Sequence, residues 1–525
     1  MKSKLLVILL FVFSISFGQE VKITKSDIFK DKKKHSYLSF ALSDDNGGLV
    51  TIRSYRGGLF KKLKGYYIQY FDSNLNLIKE LDYKYEGNSI RNAFIKDGKL
   101  NLIEFEHIKK EDRITMSAAT ANLNDLKFTK KELLTFSDDN VKQYFGFAIL
   151  IPVFITNGIN QADGDHLGEV IISKNKKYVA INFDFKNKEK ESHKVFVFDT
   201  DFNKIYEKLI VKDIKDKLFS YNSVDIDDND GTLYFLGKAY ENKSRREKKK
   251  GKVNYHYELN KINKDGETQV NFKTSEKLIN SMTLLFNDDK LTCVGFYAKK
   301  DVGRYHGVCL FDIDPKTLTI KNKKFNEFSD QFLSDKYGDR KGKKKRKKDK
   351  GIYNMDFKSL HVLSNGDVVV NAEEFFVTTY TTTNSSGFTN TRTRFHFNDI
   401  MSIRMDKEGN LKWARNINKA QTNPNNSSFT STSIGGSSYF FINCADKIKK
   451  KKDGRLFFKQ ATPKKSNLYM LKIDESGEIS YKKLVDDKES KVHYKVNQGE
   501  VSANGAEIIL LGKKKKKTRI LKLEL

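Results

Sequence analysis

Asp399–Ile417, DIMSIRMDKEGNLKWARNI, reads as an extended segment, a turn carrying Asp406 and Gly409, and a second extended segment. Apolar residues flanking an Asp/Gly turn in this way predict a β-hairpin. Asn467–Val485, NLYMLKIDESGEISYKKLV, repeats the outline with Asp474 and Gly477 in the same places. One hairpin cannot bury both faces of its sheet. A hairpin that recurs along a chain therefore points to units stacked on one another.

Strand-like runs come in sets of four, labelled A to D in chain order. The first set is Tyr37–Leu42, Leu49–Ser54, Tyr66–Phe71 and Leu75–Leu81, and the second is Ile90–Ile95, Lys99–Glu106, Ile114–Ala121 and Leu126–Leu133. Five more sets run from Glu169 to Ile210, Tyr221 to Phe272, Ser281 to Lys321, Phe357 to Ile417 and Thr430 to Leu484; the fifth includes Lys290–Ala298, Gly307–Ile313 and Thr317–Lys321, and the seventh opens with Thr430–Ile434. The eighth has only Lys495–Ser502, Glu507–Leu511 and Thr518–Leu523, and Val21–Phe29, which belongs to no set, supplies the missing outer strand. The expected fold is all-β: a β-propeller of four-stranded antiparallel blades, closed by pairing of the N- and C-terminal strands. Eight blades are expected, or seven if the third set is not a blade of its own. A pair of β-sandwiches explains the four-strand rhythm less simply. The connection Leu134–Gly168, with its apolar run Phe145–Ile155, fits no set.

Residues 1–18 read as a signal peptide. Lys2 and Lys4 precede the apolar run Leu5–Phe13, and Ser16-Phe17-Gly18 leads to Gln19. The apolar run is too short for a membrane span. Residues 19–525 are then a single propeller domain, expected in the periplasm or outside the cell. Three cysteines are too few for a disulfide scaffold. Cys293 and Cys309 fall on successive strands and are either a disulfide or buried free thiols. No CxxC spacing suggests zinc.

The chain has 97 Lys plus Arg against 67 Asp plus Glu. Its basic insertions, 186–194, 242–252, 447–452 and 513–517, fall between strands B and C, and the run 341–350 (KGKKKRKKDK) is a D–A connection. In a four-stranded meander the B–C and D–A connections leave from one face and the A–B and C–D turns from the other. The basic runs therefore share a face. Its candidate anion-binding residues are Lys248, Lys249, Lys250, Lys343, Lys344, Lys345, Arg346, Lys514 and Lys515. Suitable partners are an anionic glycan, a lipid headgroup or an acidic envelope protein. Nucleic acid is disfavoured, because no aromatic platforms are interleaved with the lysines. The competing reading is that these runs are merely solvated loops of a lysine-rich chain. Thr378–Arg394, rich in Thr, Ser and Asn, is a recognition loop or a flexible one.

Asp225, Asp227 and Asn229, just before Gly231, suggest a weak calcium loop. The Gly lies one place too late for a helix–loop–helix site, and Leu236 stands where the bidentate Glu is needed. Asp163, Asp165, His166 and Glu169 form a fainter candidate. Nine dispersed His include no HExxH, and neither a Gly-x-Ser-x-Gly elbow nor a phosphate-binding glycine loop occurs. No catalytic residue and no cofactor is implied. Asn384-Ser385-Ser386 and Asn426-Ser427-Ser428 match a glycosylation acceptor.

The hairpins Phe71–Glu80 and Phe198–Glu207 share the pattern FDxxxNxxxE. With the N-terminal segment ending before Gln19 and the Lys/Asn/Phe/Tyr-rich composition, they resemble uncharacterised secreted β-propeller-like proteins of flavobacteria and their relatives. The resemblance implies an envelope or extracellular setting and supplies no site residues. The functional expectation is a non-enzymatic binding or scaffold protein of the bacterial cell envelope. The alternative is a hydrolase or lyase acting on glycans or peptides at the central axis.

Overall fold

A computed structural model describes residues 21–30, 35–44, 46–59, 62–142, 169–274, 277–287, 289–299, 303–383, 385–422, 427–459, 462, 466–502 and 504–525. The expected signal peptide, the run Phe145–Ile155, Asp163, Asp165, His166, Asn384 and Asn426 lie outside the described residues.

The protein is a β-propeller. Among the described residues, eight sheets have four or more strands, and six of them are simple antiparallel meanders of four. In the first, His35–Ser43, Leu49–Gly57, Lys62–Phe71 and Leu77–Lys84 are hydrogen-bonded in chain order. The eighth takes its outer strand from the other end of the chain. Lys22–Lys25 pairs antiparallel with the last strand, Lys22 opposite Glu524 and Lys25 opposite Leu521.

The core sits in the seams between sheets. Val294, Phe296, Val308 and Leu310 of the fifth sheet pack with Phe357, Val368, Val370 and Ile403 of the sixth. Leu38, Leu49 and Phe71 of the first pack with Ile509, Leu511 and Ile520 of the eighth. Second strands are consequently covered on both faces. In Lys290–Ala298 every residue after the first is buried, so the strand reads as a continuous apolar run instead of an alternating one.

The C–D turns interlock neighbouring blades. Asp72 accepts from the backbone N–H of Asn74 and Asn76 (2.9 and 2.8 Å), and Asp406 from that of Asn410 (2.7 Å). Three residues after the Asp the backbone is left-handed, at Leu75, Phe202, Gly409 and Gly477. Leu75 reaches the core shared with the eighth sheet, and Phe202 lies 6.3 Å from Phe94 of the second. At Gly477 a Cβ would lie 2.9 Å from Trp413 of the sixth sheet. Only glycine suits both that backbone and that contact. These turn residues also explain two strands that start later than expected. Leu75–Leu81 and Leu126–Leu133 begin instead at Leu77 and Thr129, because Leu75 and Leu126 belong to left-handed turns.

Several insertions differ from expectation. Most of the run 341–350 is helical. Helix α1 (Asp330–Tyr337) is capped by Ser329, whose Oγ accepts from the Phe332 N–H at 3.1 Å, and α2 (Asp339–Lys347) folds back on it. Phe332 and Leu333 anchor the pair in the seam, and the bare Gly342 lets the helices meet. Thr378–Arg394 is not a loop but part of a β-ribbon made by Val368–Thr383 and Thr389–Met405, paired out to Thr383 and Thr389. Within 447–452, Lys449–Lys450 pairs with Leu456–Phe458, which extends the sixth sheet through Asn418 and Lys419. Lys190–Lys194 lies inside the strand Lys190–Asp199. The expected strand Thr317–Lys321 is displaced to Ile320–Glu327, and Lys495–Ser502 is interrupted by a 3-10 turn at Val496–Gln498. Cys293 and Cys309 are buried free thiols. Cys293 lies opposite Phe311 and Cys309 opposite Gly295, so the two do not face each other across the ladder.

Candidate functional site

The anion-binding candidates lie in B–C or D–A connections of different sheets. Lys248 and Lys249 pair with Lys252 and Val253 in a small hairpin between the second and third strands of the fourth sheet, with Lys250 at its turn. Lys343 to Arg346 lie on α2, between the fifth and sixth sheets. Lys514 ends the strand Glu507–Lys514, and Lys515 is in the turn that follows. Lys249, Lys250, Lys343, Lys344, Lys514 and Lys515 are exposed. Lys345 and Arg346 act as fasteners. Lys345 Nζ is 4.8 Å from the Tyr337 ring centroid. Arg346 donates to Asp330 (2.9 Å), Glu327 (3.2 Å) and the Phe328 carbonyl.

The calcium candidates do not converge. Asp225 accepts from Ile226 N–H at 2.9 Å and from Phe286 N–H on the fifth sheet at 2.7 Å. Burial pushes its carboxyl up to about 6. Asp227 accepts from Asn229 N–H at 2.8 Å, while the Asn229 amide donates to Asp289 at 3.1 Å. These groups shape an A–B turn and tie it to the next blade.

No ionic cluster at Lys142 was singled out from the sequence. Lys142 Nζ lies 2.6 Å from Asp184, 3.2 Å from Glu191 and 2.5 Å from Asp216. Asp184 and His193 are cross-strand partners, and Glu191 precedes His193 by two residues on the same strand. His193 Nε2 meets Glu191 at 2.8 Å and its Nδ1 meets Asn182 at 3.2 Å. The imidazole stacks on Tyr221, 5.3 Å between centroids. Burial pushes Glu191 up to about 8 and Asp184 up to about 6. Asp216, hydrogen-bonded to Glu191, is held below the ordinary carboxylate value. Glu191 and Asp216 thus titrate as a pair in which Glu191 is the weaker acid.

Asp184, Glu191 and His193 present ligand atoms within 4.8 Å of one another, a spacing that suits a cation. The Lys142 ammonium lies within 3.2 Å of the Asp184 and Glu191 oxygens of this set. The cluster therefore works as an internal ion network joining the chain after the second sheet to the third. The signal that could have exposed it is the alternation Glu191-x-His193, which puts two polar side chains on one face at a strand start.

A second buried network braces the sixth blade. Lys419 and Glu373, both fully buried, meet at 2.5 Å, and Ser428 donates to Glu373 at 2.8 Å. Lys336 of α1 reaches Asp399 (2.7 Å) and Glu374 (3.1 Å), and Arg415 holds Asp335 at 2.6 Å. These contacts fix the helix pair against the outer strand Leu411–Lys419.

No protein-family model and no curated protein sequence matches the chain. Several solved structures are similar in fold. Prolyl oligopeptidase B from Galerina marginata is 7% identical, with a TM-score of 0.40; the match covers 92% of this chain and 55% of that one. The chain thus spans about half the length of that protein. The WD40 domain of SCAP from fission yeast is 7% identical, with a TM-score of 0.41 and coverage of 96% and 94%. The β-propeller domain of the Trilobed protease from Pyrococcus furiosus is 12% identical, with a TM-score of 0.36 and coverage of 87% and 97%. At these identities no activity or partner is read across.

Proposed function

We propose that the chain is a non-enzymatic binding scaffold of the bacterial cell envelope. In this reading it is an eight-bladed ring, akin to secreted flavobacterial propellers, exported by its first 18 residues. Its insertion-bearing face holds an anionic partner: a glycan, a lipid headgroup or an acidic protein. The observation that carries the reading is the placement of exposed lysines on folded supports: a helix at Lys343 and Lys344, hairpins at Lys249, Lys250, Lys514 and Lys515. Charge held on defined secondary structure presents a fixed pattern, whereas charge on a solvated loop does not. Among the described residues, no helix is long and apolar enough to cross a membrane. Attachment to the envelope would then be peripheral.

The test is co-sedimentation of residues 19–525 with anionic and zwitterionic vesicles, and retention on a sulfated polysaccharide, across a salt series. Binding is expected to the anionic surfaces only and to weaken steadily with salt. The double changes Lys343→Glu/Lys344→Glu and Lys514→Glu/Lys515→Glu should each weaken it. Binding that ignores both salt and these changes would overturn the reading.

A further inference from the structure

Val368–Thr383 and Thr389–Met405 outrun the sheet they belong to. Met355–Val362 pairs with the first only as far as Glu374, and Leu411–Lys419 pairs with the second only from Ile400 onward. From Phe376 and His396 outward, among the described residues, the two strands pair only with each other, as far as Thr383 and Thr389. From Val377 to Thr383 and from Thr389 to Arg394 every residue is exposed, so neither face of this ribbon is covered. At about 3.3 Å per residue the bare arm is about 20 Å long. A two-stranded ribbon that buries neither face adds little to stability. What it offers is reach.

The register sorts the side chains of the arm. Thr379, Thr381 and Thr383 lie opposite Thr393, Thr391 and Thr389 on one face, and Tyr380 lies opposite Arg392 on the other. The Arg394 guanidinium sits 5.6 Å from the Tyr380 ring centroid. Phe388, at the tip, is 75% exposed, and Tyr380 is exposed too. No Asp or Glu occurs between Phe375 and Phe397. Among the described residues, neither Arg392 nor Arg394 forms an ion pair. Helix α2 leads into Met355, which pairs with Glu374 at the base of the ribbon. The exposed Lys343 and Lys344 therefore leave from the same end of the sixth sheet as the arm.

We infer that the ribbon docks the protein on an anionic phospholipid bilayer, with Phe388 entering the interface and Arg392 and Arg394 meeting lipid phosphates beside Tyr380. This rests on the anionic-partner reading and narrows the partner to a lipid surface. Phosphate groups supply the negative charge that the arm lacks, and the arginine fork matches their geometry. A sulfated glycan would suit the arginines but leave Phe388 in water. A bilayer interface takes an aromatic tip and cations together. Lys343 and Lys344 add attraction at longer range, which salt screens.

The test measures the affinity of residues 19–525 for phosphatidylglycerol vesicles, phosphatidylcholine vesicles and a sulfated polysaccharide at one salt concentration. The protein should bind the phosphatidylglycerol vesicles and not the phosphatidylcholine ones. Phe388→Ser and Arg392→Gln/Arg394→Gln should each weaken that binding by about tenfold. Thermal unfolding, which neither change should move, separates this loss from a loss of fold. Insertion has its own readout. Phe388→Trp should emit at shorter wavelength once phosphatidylglycerol vesicles are added, while the wild-type signal, from the buried Trp413, should not move. Vesicle binding that is equal in wild type, Phe388→Ser and the arginine variant overturns the docking role of the ribbon and leaves the anionic-partner reading standing. Binding to the polysaccharide but not to phosphatidylglycerol vesicles does the same. Binding to neither overturns both. Phe388→Trp emission that stays unchanged on vesicles carrying bound protein overturns the insertion of the tip.

Discussion

Lys142 and Lys495 are the same residue type, each set in a seam between sheets, in opposite surroundings. Lys142 has three carboxylates within 3.2 Å. Lys495 has an aromatic ring and another lysine. The first ammonium is held well above the ordinary lysine value by its acids, although burial alone would lower it. The second is pulled down to about 8. A chain with a formal charge of +30 has lysines everywhere, so their number says little about a site. The distribution of counter-charge is more informative. Where acids converge, lysine fastens two elements.

Breaking the first seam should have the largest effect. Lys142→Met strands Asp184 and Glu191 without their cation and should destabilise the fold by about 3–5 kcal/mol in urea unfolding. Adding Asp184→Asn, Glu191→Gln and Asp216→Asn should recover most of that loss. A loss below about 1 kcal/mol would show that the cluster does not hold the seam.

The pH dependence of stability should separate the two regions next. Asp184 and Glu191 have raised folded values, so each takes up protons on folding. Their contribution is complete below the unfolded carboxylate range and is lost as pH rises through about 6 and about 8. Asp216, shifted down, opposes this at the acid end. Lys495, lowered to about 8, releases a proton on folding. Its contribution therefore grows as pH rises from about 8 toward the ordinary lysine value. Asp184→Asn/Glu191→Gln should flatten the unfolding midpoint between roughly pH 4 and 8, and Lys495→Met should flatten it above roughly pH 8.

The smallest effects fall on lysines without acids. Lys495→Met should leave stability within about 1 kcal/mol of wild type or raise it, because the change gives up only the contact with the Tyr37 ring. Lys343→Glu/Lys344→Glu, on the exposed side of α2, should change it by no more than about 0.5 kcal/mol. A large loss from either would show that the contrast with Lys142 has been drawn wrongly.

Much of the architecture was legible because strand alternation and Asp turns are local. Lys290–Ala298, Gly307–Ile313 and Thr430–Ile434 occupy the residues expected of them. The spare segment near Val21 was rightly assigned to the strand that ends at Glu524. The helix pair was hidden because its apolar content is little more than Phe332 and Leu333 before a lysine run, and its close approach depends on Gly342. The ribbon was hidden because Thr379–Thr383 is polar on both faces, so no period-two signal exists. The predicted anion-binding lysines lie on the expected connections, but which of them are fasteners depends on Asp330, Glu327 and Tyr337. Lys142 and Glu191 are far apart in sequence and meet only across a seam. Lys495 was read as part of an ordinary strand, and only the break after it turns its ammonium into a feature.

The turn at Gly477 has an optical consequence. The chain has one tryptophan, Trp413, and this turn lies on its indole, whose Nε1 donates to the Glu475 carbonyl at 3.2 Å. Its emission therefore reports on the seam between the sixth and seventh blades. Circular dichroism averages over every strand in the chain. Denaturation curves from the two signals will coincide if the sheets unfold as one unit, and will part if the fold first comes undone at that seam.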